Sequence, residues 1–147
     1  METCIVEGNI SVKAVLLGKK RKVHKILVDA KKKDKDTAFI LHKAKEAQVD
    51  ITYMKREEID ALATGKTHGG IIAYCGQRKY QNLEELVNKK QVFLALVEGV
   101  EDPFNFGYVL RTLYAAGCDG VLVPLRNWTT AADVVTRASA GASEYIN

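Results

Sequence analysis

Phe93-Leu94-Ala95-Leu96-Val97, the loop Glu98 to Pro103, and then Asn105-Phe106-Gly107-Tyr108-Val109-Leu110-Arg111 form the stretch whose reading decides the fold. Five apolar residues in a row fit a central parallel strand covered on both faces. Asn105 is a good N-cap for a helix from about Phe106 to Ala116, and Gly117 suits its end. The turn from the end of a buried strand into a helix is where open α/β sheets bind ligands. Gly107 lets another backbone or a ligand come close. Arg111, four residues on, leans back toward the helix N-terminus. Arg111, Asn105 and the first-turn N–H groups then compose a compact site for an anion such as a phosphate. A capped helix with an exposed arginine fits the loop pattern equally well. No GxGxxG or Walker sequence is present, so neither dinucleotide nor P-loop chemistry is indicated.

Working outward, the same alternation of apolar strand and amphipathic helix runs through the chain. Val121-Leu-Val123 reads as the next buried strand, and Thr129 or Thr130 caps a helix to about Arg137. Upstream, residues 10–17 read as a helix capped by Asn9 or Ser11, with Gly18 at C′. Residues 25–28, 51–54 and 70–74 read as strands. Helices are expected from Asp36 or Thr37 to about Gln48, and from Arg56 to Ala63. Asn82-Leu-Glu-Glu85 has capping-box spacing. Repeated strand–helix–strand units predict parallel sheets.

The composition is that of a soluble globular protein, with 47% apolar and 27% charged residues. No apolar run is long enough to span a membrane, and no signal peptide is visible. Cys4, Cys75 and Cys118 form no CxxC pair. They are expected as buried free thiols of a cytoplasmic protein, with no metal site. Residues 1–80 hold 17 Lys/Arg and 10 Asp/Glu, whereas residues 81–147 hold 5 and 8. A basic front half joined to an acidic back half points to a polyanion met by the front, although a solvated lysine-rich surface has the same composition. Lys19, Lys20, Arg21, Lys22 and Lys32 are the candidate RNA contacts. The charge shift and the aperiodic stretch Gln77–Tyr80 predict a front domain over 1–78, a linker with a short helix over 79–90, and a second domain over 91–147.

Four ordered segments together resemble one family. Asn105-x-Gly107-x-x-x-Arg111, the Ala-rich turn to Gly117 and the strand ending at Pro124 are similar to the first motif of the SpoU-type (TrmH-like) RNA 2′-O-ribose methyltransferases of the SPOUT superfamily. Ser139-Ala-Gly141-Ala resembles that family's "SAGA" segment, in which Ser139 and Gly141 support the motif. Val6-Glu7-Gly8 with Val12 to Leu16 resembles the opening of its substrate-binding domain. Thr67-His68-Gly69-Gly70-Ile-Ile-Ala73 resembles that domain's closing "HQGI-A" segment, with Gly69 where the family usually has Gln.

The resemblance implies an α/β fold: a small N-terminal α/β/α RNA-binding domain like a ribosomal protein, then the first half of a parallel-sheet SPOUT domain. It implies S-adenosylmethionine as methyl donor, a homodimer, and RNA as substrate, ribosomal more than transfer RNA. It assigns Arg111 and Asn105 to the ribose hydroxyl, and it adds His68 to the candidate RNA contacts. The family's later glycine/glutamate and serine/asparagine motifs, which build the knot and the cofactor pocket, do not occur among the 147 residues. The chain is therefore expected to be a fragment, with no cofactor-binding residue and little activity by itself. A non-catalytic RNA-binding protein, and a small-molecule-binding α/β protein, are the alternatives. Tyr80 and Trp128 are candidates for base stacking, though isolated aromatics more often pack. Glu98, Glu101 and Asp102 are expected to pair with cations or cap a helix rather than form a catalytic dyad.

Overall fold

The computed structural model describes residues 3–126 and 131–147. Trp128 and the helix cap expected at Thr129 or Thr130 lie outside the described residues. Strands and helices alternate as β1 (Cys4–Glu7), α1 (Asn9–Gly18), β2 (Val23–Asp29), α2 (Lys35–Glu46), β3 (Asp50–Met54), α3 (Arg56–Leu62), β4 (Ile71–Cys75), α4 (Leu83–Val87), β5 (Leu94–Leu96), α5 (Pro103–Ala115), β6 (Gly120–Leu122) and α6 (Ala132–Ala138). A 3-10 turn over Ala142–Glu144 follows.

The front sheet has the order β1-β4-β2-β3. β2 and β3 pair in parallel, but β4 is antiparallel to both β1 and β2. The expectation of an all-parallel sheet therefore fails here, for a geometric reason. A parallel crossover must carry the chain back to the end where the previous strand began. The seven residues of α3 span about 10 Å, whereas the five of β3 span about 16 Å. The chain does not return, so β4 starts where β3 ended. β1 was also not foreseen, since four residues of Cys-Ile-Val-Glu carry little periodicity.

Alternation along β2 builds three layers. Ile26 and Val28 face α1 and α2, where Val12, Val15, Ile40 and Ala44 complete the core. Leu27 faces the other way and meets Ile59 of α3 and Ile72. This is the α/β/α arrangement expected of the front domain. In the back part, β5 and β6 pair in parallel. Phe106 and Leu110 of α5 pack with Val135 of α6, Cys118 and Ile146. All three cysteines are free and buried, and burial pushes the Cys75 thiol far above its ordinary pKa.

Several helix ends differ from the sequence reading. α5 starts at Pro103, which fits the first helical position, and Asp102 rather than Asn105 is its cap. The Asp102 carboxylate accepts the Asn105 N–H at 2.8 Å. α2 is capped by Asp34, whose carboxylate accepts from Thr37 N at 2.8 Å. Asn82 precedes α4 without a side-chain cap bond. Gly18 is still helical, and Lys19 takes the left-handed conformation at φ 56°. Gly18 is needed for another reason: a Cβ there would lie 1.8 Å from the Glu144 carbonyl oxygen.

The back part folds onto the front. Glu7 N donates to Asp133 Oδ1 at 3.1 Å, and Ala132 joins the front core. Arg78, in the stretch read as a linker, donates to the Ser143 and Ile146 carbonyls.

Candidate functional site

α5 leaves the loop after β5 and carries both residues of the predicted site. Asn105 sits on its first exposed turn and Arg111 about 9 Å further along the axis, also exposed. Neither side chain has a hydrogen bond or ion pair among the described residues. The compact Asn105–Arg111 anion site is therefore not closed: the two side chains point from different turns and do not meet. Arg111 instead stands as an unneutralised cation beside exposed Phe104 and Tyr108. Two of the nearby acids, Glu101 and Asp102, are occupied as expected. Glu101 pairs with Arg126 at 2.9 Å, and Asp102 caps the helix.

Gly107 is buried against α6, where a Cβ would fall 2.6 Å from the Ala138 Cβ and 3.0 Å from the Val135 carbonyl. That close approach is what fixes α5 on α6. Ser139 is also buried: its hydroxyl donates to the Thr136 carbonyl and accepts the Ser143 N–H, both at 3.1 Å. Gly141 adopts φ 85° and lies against Ala14 of α1. The small residues of this segment thus let it run closely along α1.

That segment ends in Glu144, which is fully buried. Its carboxylate accepts from Arg21 Nε at 3.1 and 3.2 Å and lies 3.9 Å from Arg78. Burial works against the Arg21 cation, but the Glu144 charge and hydrogen bonds outweigh it and raise its pKa. Burial lowers that of Arg78, with Glu144 opposing. Lys20 donates to Gln81 at 3.3 Å and to Asn147.

The predicted RNA contacts therefore divide. Arg21 is buried and spent on Glu144, so it is withdrawn from the candidate RNA surface. His68 is withdrawn too, because its ring is buried. Its Nδ1 accepts the Gly70 N–H at 3.1 Å, which leaves Nε2 to face Asp60 at 2.8 Å. Lys32 is paired with Asp34 at 2.9 Å. Lys19 and Lys22 are exposed, with no ion pair among the described residues. The cations at 19–22 and the lysines at 31–33 lie at opposite ends of β2, about 20 Å apart.

Sequence reading missed Glu144, Arg78 and Glu7. The buried Glu7 carboxylate takes Thr64 N, Thr64 Oγ1 at 2.9 Å and Gly65 N at 3.1 Å, which pins the loop before β4. A charged residue directly beside Gly8, or directly after the small-residue segment, was the available signal.

A cleft of about 430 Å³ is lined by Phe106, Leu110, Val123 and Ile146 of the back part and by Arg78 and Tyr80 of the stretch after β4. Among the described residues no cluster of His, Cys, Asp or Glu could hold a metal ion, and no helix is long and apolar enough to cross a membrane.

Residues 5–81 match the family described as RNA 2′-O ribose methyltransferase substrate binding. The chain is 29% identical over 152 aligned residues to a relative from Staphylococcus aureus (strain COL) named as a TrmH family tRNA/rRNA methyltransferase, covering 99% of this chain and 60% of the relative. A similarly named protein, YacO of Bacillus subtilis (strain 168), is 29% identical over 131 residues, covering 86% and 52%. The chain thus spans little more than half the length of these relatives. Among solved structures, an RNA 2′-O ribose methyltransferase superposes with a TM-score of 0.75 at 21% identity, covering 99% of this chain and 54% of that one. An AdoMet-bound rRNA methyltransferase from Sinorhizobium meliloti gives 0.73 at 18% identity, with 99% and 52% covered. At these identities the superpositions speak for the fold.

Proposed function

Since the chain belongs to the SpoU family of RNA 2′-O-ribose methyltransferases, we propose that it is the RNA-holding and hydroxyl-facing portion of an enzyme that methylates a ribose 2′-oxygen. The observation that carries this reading is Arg111, exposed and without an ion pair among the described residues on the helix that follows β5, on the same chain as a substrate-binding unit of that family. A ribose hydroxyl attacks poorly until its developing negative charge is stabilised. Arginine is always protonated, so Arg111 acts as an electrostatic clamp on that oxygen and the adjoining phosphate, not as a base. The Asn105 amide, on the first turn of the same helix, supplies a further donor nearer the loop.

The methyl donor proposed is S-adenosylmethionine. The described cleft does not fit it. The donor's sulfur is cationic, while the cleft offers Arg78 and Arg126, and the one carboxylate among its described residues, Glu144, is committed to Arg21. We assign RNA holding to 1–78 and the methyl-transfer portion to 91–147, joined by 79–90. Ribosomal RNA is proposed ahead of transfer RNA, and the Staphylococcus aureus relative is named for both. A homodimer is favoured by the open aromatic flank of α5, and a cytoplasmic setting by three free thiols. In the whole enzyme, Arg111→Ala should cut methyl transfer by at least about a hundredfold with donor affinity unchanged. A retained rate in a radiolabelled-methyl assay would sink the reading.

A further inference from the structure

A second cleft, of about 580 Å³, lies at the end of the front sheet where α1 and α2 finish and β2 and β3 begin. We infer that it holds one nucleotide of a single-stranded RNA segment, with Lys19, Lys22 and Lys79 on the phosphates and His24 on the base or ribose. This rests on the reading of the chain as RNA-binding and adds where, and in what form, the RNA is gripped.

The cations are brought together by backbone pairing. Gly76 N donates to the Lys22 carbonyl at 2.8 Å, and Lys79 N to the Lys20 carbonyl at 2.7 Å. Their neighbours Lys20, Arg21 and Arg78 are taken by the back part of the chain. Lys19, Lys22 and Lys79 are what remains: exposed, and without ion pairs among the described residues. Among the described residues, Asp50 is the one carboxylate that lines the cleft.

The wall contains a second, independent feature. His24 Nε2 is buried and has no hydrogen-bond partner among the described residues. Such an atom is uncommon in a folded protein and costs free energy unless something meets it. An imidazole nitrogen can donate to or accept from a base edge or a ribose hydroxyl.

The floor selects against a bare anion. Lys19 and Ala47, the C-terminal caps of α1 and α2, both line the cleft. Helix C-termini are partially negative, so they favour N–H and O–H donors and repel phosphate. Val15, Leu16 and Val49 add an apolar surface on which a base can lie. Base and sugar inside with phosphates on the lysine rim is the arrangement these charges permit. Compensation of the helix dipole would account for Lys19 alone, not for Lys22 and Lys79 on the strand extensions.

The test measures binding of a short single-stranded oligonucleotide, and of a hairpin duplex, to the full chain by fluorescence anisotropy across salt concentrations. Each of Lys19→Gln, Lys22→Gln and Lys79→Gln should reduce the single-strand salt slope by about 0.7, so the triple variant loses about 2. The triple variant of Lys31, Lys33 and Lys35 should leave single-strand affinity within about twofold. His24→Phe should weaken the oligonucleotide about tenfold, equal to one lost hydrogen bond, while the unfolding midpoint holds or rises. Equal losses from both lysine triples would overturn the inference, as would His24→Phe with unchanged affinity. If the hairpin binds and the single strand does not, the nucleotide cleft falls and the family reading stands. If neither RNA binds, both fall.

Discussion

The front and back parts of this chain bury apolar side chains to very different degrees. In the front, Ile26, Val28, Ile40 and Ile71 are fully buried between helices and sheet. In the back, the core residues Phe106, Leu110 and Val135 keep some exposure, while Leu96 is 74% and Leu125 is 93% exposed. Parallel sheets are normally covered on both faces. The run Phe93–Val97 has the composition for two covers, and the described residues supply one. The front unit thus closes on itself, whereas the back is held from the side, through α6 and the segment leading to Glu144.

The largest expected effect tests that seam. Glu144 joins the two parts as a buried anion on Arg21. Breaking a buried pair by removing one partner costs about 3–5 kcal/mol, because the remaining charge is stranded. Glu144→Leu should lower stability by about that amount in urea unfolding. Glu144→Leu combined with Arg21→Met should recover most of it. A single variant as stable as the parent would mean that the back part does not depend on the seam.

A smaller effect separates the two cores. Ile26→Ala should cost about 2–5 kcal/mol, since it empties a fully enclosed site. Leu96→Ala should change stability by no more than about 0.5 kcal/mol in the 147-residue chain. A comparable loss at both positions would show that Leu96 is covered in solution, for instance by a second copy, and the comparison of the two parts would need redrawing.

How far these features were legible in the sequence follows the same division. β4, α2 and the helix from Pro103 to Ala115 come from local patterns: apolar runs, helical spacing and terminal glycines. Interactions distant in sequence left no local trace. Gly18 looked like a helix terminator, yet its role is to clear the Glu144 backbone more than a hundred residues away. Arg21 sat in a run of four cations and looked solvent-facing, but one carboxylate from the far end of the chain buries it. His68 lay in a polar, glycine-rich loop, and the ring folds under that loop to meet Gly70 N and Asp60. Asn105 and Asp102 are both good caps, and only the proline between them, fixed at the first helical position, decides for Asp102. The family motif around Asn105 and Arg111 was legible as a pattern. Its geometry was not, because the helix begins at Pro103 and so carries Asn105 and Arg111 on different turns.

The smallest expected effect compares one carboxylate from each part. In the front, the Lys32 hydrogen bond, with those from Thr37, holds the Asp34 carboxyl well below the usual range. Its stabilising contribution is complete above the ordinary carboxylate pKa of about 4 and is lost as the pH falls through the lower folded value. In the back, burial raises the Asp133 carboxyl, and Arg137 only partly offsets it. For Asp133 the sign reverses: its contribution is present below about pH 4 and is lost as the pH rises through the folded value. Asp34→Asn should therefore flatten the fall in stability toward acid. Asp133→Asn, which keeps an acceptor for Glu7 N, should gain stability relative to the parent as the pH rises from acid to neutral. Unfolding midpoints across that range read both slopes. If the two variants shift in the same direction, the Arg137 pairing dominates Asp133, and the buried seam is more strongly ionic than its burial implies.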